Sequence, residues 1–254
     1  MLEYFTSVNL KTEAYFCSID GRMGFDQETG GAGTLNDFQL DLGLPADQRS
    51  VRVSASVRPL EHHLLRLFGS TPENYKGRRV LSRGLTTRNG AYAAGTEIES
   101  TMSYAAFGFG YDLDFLVGPQ YQAGLHGELR YLHARAGLAA PAAVGQEDVI
   151  IVDELAPCLG AHVDLRLPRH GLGCPAWVIP RGFARMTYSM TPNYLNYVDI
   201  NIGIGADLGG PFGRGVGVSI GYGHESFFWE QELVSGKVLN FKRNGLTFSI
   251  EGTF

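Results

Sequence analysis

The sequence predicts an all-β protein, a transmembrane, antiparallel, up-and-down β-barrel of about ten strands. Three observations point there. Apolar and polar residues alternate with period two along much of the chain. The alternating tracts reach or exceed the ~9–11 residues that a tilted strand needs to cross a bilayer. The connections between tracts alternate between short and long, as in barrels with short turns on one side and longer loops on the other.

The tracts can be taken in order. Val51, Val53, Ala55 and Val57 alternate with Arg52, Ser54, Ser56 and Arg58. Tyr121, Ala123, Leu125, Leu129 and Tyr131 alternate with Gln122, His126, Glu128 and Arg130. Leu159, Ala161, Val163, Leu165 and Leu167 alternate with Gly160, His162, Asp164 and Arg166. Val198, Ile200, Ile202, Ile204 and Ala206 alternate with Asp199, Asn201 and Asp207, and Leu246, Phe248 and Ile250 alternate with Thr247, Ser249 and Glu251. The tract at 98–116 changes phase, with Met102 and Tyr104 on one parity and Phe107, Phe109, Tyr111, Leu113 and Phe115 on the other. A β-bulge near Ala105–Ala106 would account for the slip. A soluble sandwich also alternates, but its polar face commonly carries Lys, Thr and Glu, whereas here Arg, Asp, His and Gly recur.

Long connections are expected at 26–49, 71–97, 138–150, 191–195 and 231–240, and short ones at 59–62, 117–119, 168–175 and 209–214. This spacing gives ten strands in one domain, residues 1–254, with both termini on the side of the short turns, the periplasmic side of such barrels. Eight or twelve strands also fit, because Thr34–Leu42 reads either as a further strand or as a segment folded into the lumen.

Composition agrees. Gly contributes 34 residues, about twice the usual share. Lys occurs only at positions 11, 76, 237 and 242, so Arg dominates the cations, and Arg suits confined pairing with carboxylates. A net charge of −5 without a basic run argues against nucleic-acid binding. No apolar stretch is long enough for a transmembrane helix. The start, Met1-Leu2-Glu3-Tyr4, lacks the marks of a signal peptide, so the sequence reads as a mature or trimmed form. Cys17, Cys158 and Cys174 have no metal spacing; they read as small buried residues, with a Cys158–Cys174 disulfide as the alternative.

The segment Gly245-Leu-Thr-Phe-Ser-Ile-Glu-Gly-Thr-Phe254 resembles the C-terminal assembly signal of small Gram-negative outer-membrane β-barrel proteins, similar in architecture to OmpA-type barrels. Leu246, Phe248, Ile250 and Phe254 carry the likeness; Gly252 departs from it, standing where a larger apolar residue is usual. Asp41-Leu-Gly-Leu-Pro45 and Tyr111-Asp-Leu-Asp-Phe115 resemble stretches of uncharacterised members. The resemblance implies a bacterial outer-membrane location. It also implies contact with outer-membrane lipid and lipopolysaccharide and with the barrel-assembly machinery, but no single activity.

The candidate functional residues face the lumen: Arg52, Arg58, Arg66, Asp112, Asp114, His126, Glu128, Arg130, His162, Asp164, Arg166, Arg181, Arg185, Asp199, Asp207 and Glu251. Their mixed signs suit an interior salt-bridge network; a selective pore favours one sign at its constriction. His126, Glu128 and His162 could hold zinc only if they converged, and the expectation is no metal and no cofactor. His62-His63 reads as solvated. Gly108-Phe-Gly110, Gly203-Ile-Gly205 and Gly215-Val-Gly217 fall inside strands and lack the strand-to-helix setting of a dinucleotide site.

His224 and Ser226 share a face, with Glu230 on the same parity. The outer-membrane lipid A deacylases use a His-x-Ser pair of this spacing, but Phe227 and Phe228 stand where their motif continues with Asn and a small residue. Phe227, Phe228 and Trp229 read more simply as part of an interfacial aromatic girdle. The expected role is therefore non-catalytic: an anchor or scaffold for a surface or periplasmic protein partner. A small channel is the first alternative and a lipid-modifying hydrolase the second.

Overall fold

The structure, a computed structural model, describes residues 7–24, 34–87, 91–141, 147–167, 175, 177–191, 195–209, 215–230 and 237–254. Every helix-or-strand element among them is a strand: β1 (Ser7–Gly24), β2 (Leu35–Asp37), β3 (Asp47–Leu60), β4 (His63–Ser70), β5 (Glu73–Val80), β6 (Leu85–Thr86), β7 (Ala91–Tyr92), β8 (Glu97–Val117), β9 (Tyr121–Ala139), β10 (Glu147–Arg166), β11 (Val178–Thr191), β12 (Leu195–Gly209), β13 (Gly215–Glu230) and β14 (Val238–Thr253). Sequence neighbours pair antiparallel around the wall, and β14 closes on β1 in one unbroken register from Asn9↔Thr253 to Gly24↔Val238. Since β4 and β5 both pair with β8, they make one stave, and the barrel has ten.

The start of β1 and the end of β14 reach the same rim, where Val8 and Phe254 exchange backbone hydrogen bonds of 3.2 and 2.9 Å. The connections at 61–62 and 118–120 lie at this terminal rim. Phe254 also accounts for Gly252. A Cβ on Gly252 would stand 3.1 Å from the Phe254 ring, which occupies the place a larger residue would take.

The faces of the strands exchange polarity part-way along. In the terminal half the outer face is apolar: Phe107, Phe109, Leu125, Leu159, Ile202, Ile204, Phe248 and Ile250 are all exposed. The inner face there carries the charges. In the far half the inner face becomes the core, with Ile98, Met102, Tyr104, Leu132, Ile150, Val152, Phe227 and Phe241 buried. The outer face there carries Glu97, Glu99, Lys76, Arg135, Glu147 and Lys242. β8 has 21 residues, roughly 70 Å of strand at ~3.3 Å per residue. Tilted by ~40°, it rises roughly 50 Å, well beyond a ~25 Å apolar band. The inversion is therefore the expected result of one continuous strand passing from one solvent into another.

Two sequence expectations are corrected here. The tract at 98–116 has no bulge at Ala105–Ala106. Its pairing with β9 runs without a shift from Glu99 to Asp114, and Met102 and Tyr104 point inward while Phe107 and Phe109 point outward. The polarity of the faces changes, and the phase does not. The irregularity sits on the neighbouring stave: three residues, 70–72, span the space opposite Ala105 and Ala106, and Ser70 Oγ accepts from Ala106 N at 3.1 Å. Second, 71–97 is not wholly a loop, because 73–80 is strand β5. Its outward residues are Asn74, Lys76 and Arg78, so it lacks the apolar alternation that marks a bilayer-facing strand.

The segment 35–46 completes the far half. Above Ser18 and Ser70 the stave β3 no longer separates β1 from β5. β2 pairs with β1, and the chain then turns so that Phe38, Leu42 and Leu44 are buried in the core. Ser100 Oγ donates to Leu42 O at 2.6 Å. Gly43 takes φ 66°, the left-handed region. Gly77 lets this backbone approach, since a Cβ there would stand 2.6 Å from Leu42 O. The hairpin of β6 and β7 adds buried Leu85 and Tyr92. Thr34–Leu42 thus supplies both a short strand and an inward-folded segment.

Cys17 and Cys158 are buried free thiols. Cys174, and with it the Cys158–Cys174 pairing, lies outside the described residues.

Candidate functional site

The lumen of the terminal half holds a cavity of about 1100 Å³. Its walls run from Gly118, Trp177, Gly215 and Thr253 at the rim to Arg130, Glu225 and Arg243 at its inner end. Alternation puts every second residue of each long strand here. Arg predominates because its fork can reach across the lumen and meet a carboxylate with two parallel hydrogen bonds.

Three tiers of pairs are stacked along the axis. Near the rim, Arg181 meets Glu251 at 2.9 Å and Asp207 at 3.3 Å. Asp114 receives Arg58 at 2.6 Å and His162 Nε2 at 2.7 Å, and Gln122 also donates to it. In the middle tier Arg185 holds Asp112 in a two-pronged pair of 2.9 and 3.1 Å. Glu128 receives Arg66 at 2.7 Å and Arg130 at 2.6 Å, and Arg130 reaches Asp199 at 3.0 Å. His126 Nε2 is 2.9 Å from Thr187 Oγ1. Two glycines seat these rings: a Cβ at Gly160 would stand 2.3 Å from His126 Nε2, and one at Gly124 would stand 2.8 Å from His162 Cε1. Asp164 and Arg166 line the cavity near the rim.

The innermost tier is centred on Glu225. It receives Arg52 and Arg243, accepts from Tyr104 and Tyr197 at 2.6 Å each, and lies 3.7 Å from Arg130. Arg243 also binds Glu73, which in turn accepts from Tyr75. Arg243 lies over Tyr15 and Tyr104, at 5.2 and 5.0 Å from their ring centroids. Directly above, Phe227 and Phe241 pack on Tyr104 at centroid distances of 5.7 and 5.0 Å. A layer of paired charge is thus sealed by a layer of aromatic rings. Such charges are tolerable only because nearly every one is met by an opposite charge or a hydroxyl.

All sixteen lumen residues named from the sequence lie on the inner face. Glu13, Glu73, Glu225 and Arg243 were not named. For Glu225 a signal existed: Val216, Val218, Ile220 and Tyr222 face outward, so residue 225 faces inward. Glu73 follows the break at 71–72, where parity cannot be carried forward.

His126 and His162 lie side by side, their ring centroids 6.0 Å apart, but His126, Glu128 and His162 are each held by a different partner. Among the described residues no group of three or more His, Cys, Asp or Glu could hold a metal ion. The three Gly-x-Gly runs lie within β8, β12 and β13. His62 Nδ1 is 2.7 Å from Asp114 O, a contact at the terminal rim. His224 and Ser226 face outward from β13, and His224 Nδ1 is bonded to Asn244 Oδ1 on β14.

No protein-family model matches the chain, and no curated protein matches it. Among solved structures, the outer-membrane protease OmpT of Escherichia coli is similar over 98% of this chain and 97% of its own, with a TM-score of 0.51 and 11% identity. This chain has the outer-membrane β-barrel fold. The β domain of the Bordetella autotransporter BrkA is similar over 98% of both chains, with a TM-score of 0.46 and 14% identity. Neisserial surface protein A is similar over 97% of both, with a TM-score of 0.37 and 10% identity. At these identities the likeness concerns the fold alone, and the activity of an outer-membrane barrel must be argued from its own residues.

Proposed function

We propose that this chain is a non-conducting anchor in the bacterial outer membrane. Its terminal half spans the bilayer and its far half stands outside as a rigid platform for a surface partner. The observation that carries this is the stacked seal. The cavity opens at the terminal rim but ends at the Glu225–Arg243 tier, beneath the buried aromatic layer. A channel of this width would need one continuous polar path, and the inner face here turns apolar half-way along. The exposed apolar band of the terminal half supports the bilayer placement. The longer connections of the far rim favour an outward-facing far half, with both termini periplasmic. The outward Leu246, Phe248 and Ile250 of β14 support a role for the closing strand in assembly.

The test is conductance in planar bilayers. The folded barrel is expected to be silent, and steady unitary currents from it would sink the anchor reading. Protease accessibility of loop-tagged cells tests the orientation, with tags in 81–96 expected at the cell surface. The anchoring role itself is tested by gentle solubilisation and co-purification; a barrel that is always recovered alone would count against it.

A further inference from the structure

We infer that the mouth of the lumen is a binding site for a small zwitterion of dipeptide size. Asp164 takes its ammonium and Arg166 its carboxylate. The site does not depend on the anchor reading; that it fills from the periplasm rests on the orientation proposed above. The first observation is a pair of charges that the lumen network leaves over. Every other lumen residue named from the sequence is held by an ion pair or a hydrogen bond. Among the described residues, the side chains of Asp164 and Arg166 have neither, although both line the cavity. Their neighbours cannot serve them. The cations that act on Asp164 are Arg181, His162 and Lys11. Arg181 is engaged with Glu251 and Asp207, His162 with Asp114, and Lys11 with Glu13 at 3.0 Å. Arg166 stands opposite Arg181 on β11, a like charge.

The second observation is spacing. Asp164 and Arg166 are two apart on β10, so they project from one face. Their Cα atoms are roughly 7 Å apart at ~3.4 Å per residue. Arg166 ends the strand at the rim, and Asp164 lies one step deeper. That separation matches the two ends of an extended dipeptide or of a short ω-amino acid, entering ammonium first. Third, the wall beside Asp164 already seats an ammonium. Phe183 is the cross-strand neighbour of Asp164, and Lys11 Nζ lies over its ring, 5.5 Å from the centroid. A ring face next to a carboxylate without a partner favours an alkylammonium. Lys11 is then a competitor for the same ring.

Fourth, there is room and a way in. The cavity of about 1100 Å³ opens at this rim, where the exposed Trp177 offers an apolar flank to the body of a ligand. The sign of the two charges decides the ligand class. A simple cation would leave Arg166 unmet, and a simple anion would leave Asp164 unmet. One molecule that carries both signs meets both, with charge-assisted hydrogen bonds at each end.

The test is calorimetric titration of the full chain, folded in detergent micelles. Glycylglycine and ε-aminocaproate are expected to bind. N-acetylglycylglycine and glycylglycinamide, each lacking one charge, should bind about 10-fold more weakly or worse. Asp164→Asn and Arg166→Gln should each weaken glycylglycine binding by on the order of 10- to 100-fold. Neither side chain has a partner to lose, so folding, followed by heat-modifiable migration, should be unchanged in both. Lys11→Ala uncovers the Phe183 ring and should tighten binding by roughly 5-fold. A folded barrel that binds neither zwitterion, as wild type and as Lys11→Ala, overturns the proposal. So does binding that survives Asp164→Asn and Arg166→Gln unchanged, or that the acetylated and amidated dipeptides share equally.

Discussion

The terminal half and the far half of this barrel are built from the same strands but have opposite insides. On β14 the inward residues run Leu239 and Phe241 in the far half, then Arg243, Thr247, Ser249 and Glu251 toward the rim. The outward residues run Asn240, Lys242 and Asn244, then Leu246, Phe248 and Ile250. One half is organised as a membrane protein is, with apolar groups toward lipid and polar groups paired within. The other is organised as a water-soluble barrel. The lesson is that β-barrel wall geometry is indifferent to polarity. Only the solvent outside decides which parity is apolar, and the junction must reconcile the two interiors.

That comparison can be broken by substitutions placed on both sides of it and followed by urea unfolding in lipid vesicles. Phe241→Ala, in the far-half interior, should cost about 3–5 kcal/mol through the cavity it leaves. Ser249→Ala, on the same face of the same strand nearer the rim, loses a hydrogen bond to Ser219 and should cost about 1 kcal/mol. Equal costs would mean the far half has no true core. At the junction, Arg243→Ala leaves Glu73 without its cation and takes one of two close arginines from Glu225, and it should cost about 3–5 kcal/mol. A loss below about 1 kcal/mol would show that water reaches this tier. On the outer wall, Ile202→Lys should cost about 2–4 kcal/mol near the bilayer midplane, while Thr101→Lys in the far half should stay within about 0.5 kcal/mol. A similar penalty at both positions would place the bilayer elsewhere. Gly77→Ala, which forces the 35–46 segment away from β5, should cost about 1–3 kcal/mol.

The terminal half was legible in the sequence because its two faces differ by the largest contrast available, charged against apolar, at a period of two. That contrast put Arg52, Asp112, Glu128, Arg185 and Asp199 on the inner face without any structure. The far half was less legible for a definite reason. There the core is inside, so Met102 and Tyr104 look like a phase slip next to Phe107, and Lys76 and Arg78 look like a loop. The innermost tier was missed at its centre. Glu225 stands between His224 and Ser226, whose chemistry drew attention to the other face.

The innermost tier also has a consequence for the order of assembly. Arg243 stands on the last strand, and its partner Glu73 lies 170 residues earlier. Neither Glu73 nor Glu225 can be neutralised by Arg243 until β14 arrives, and β14 arrives beside β13 only to meet β1. Until then an open sheet would hold unpaired carboxylates at its middle, hydrated and resistant to entering lipid. Zipping the seam removes that obstacle at one stroke. The tier that seals the lumen would then serve as a checkpoint that ties insertion to completion of the chain.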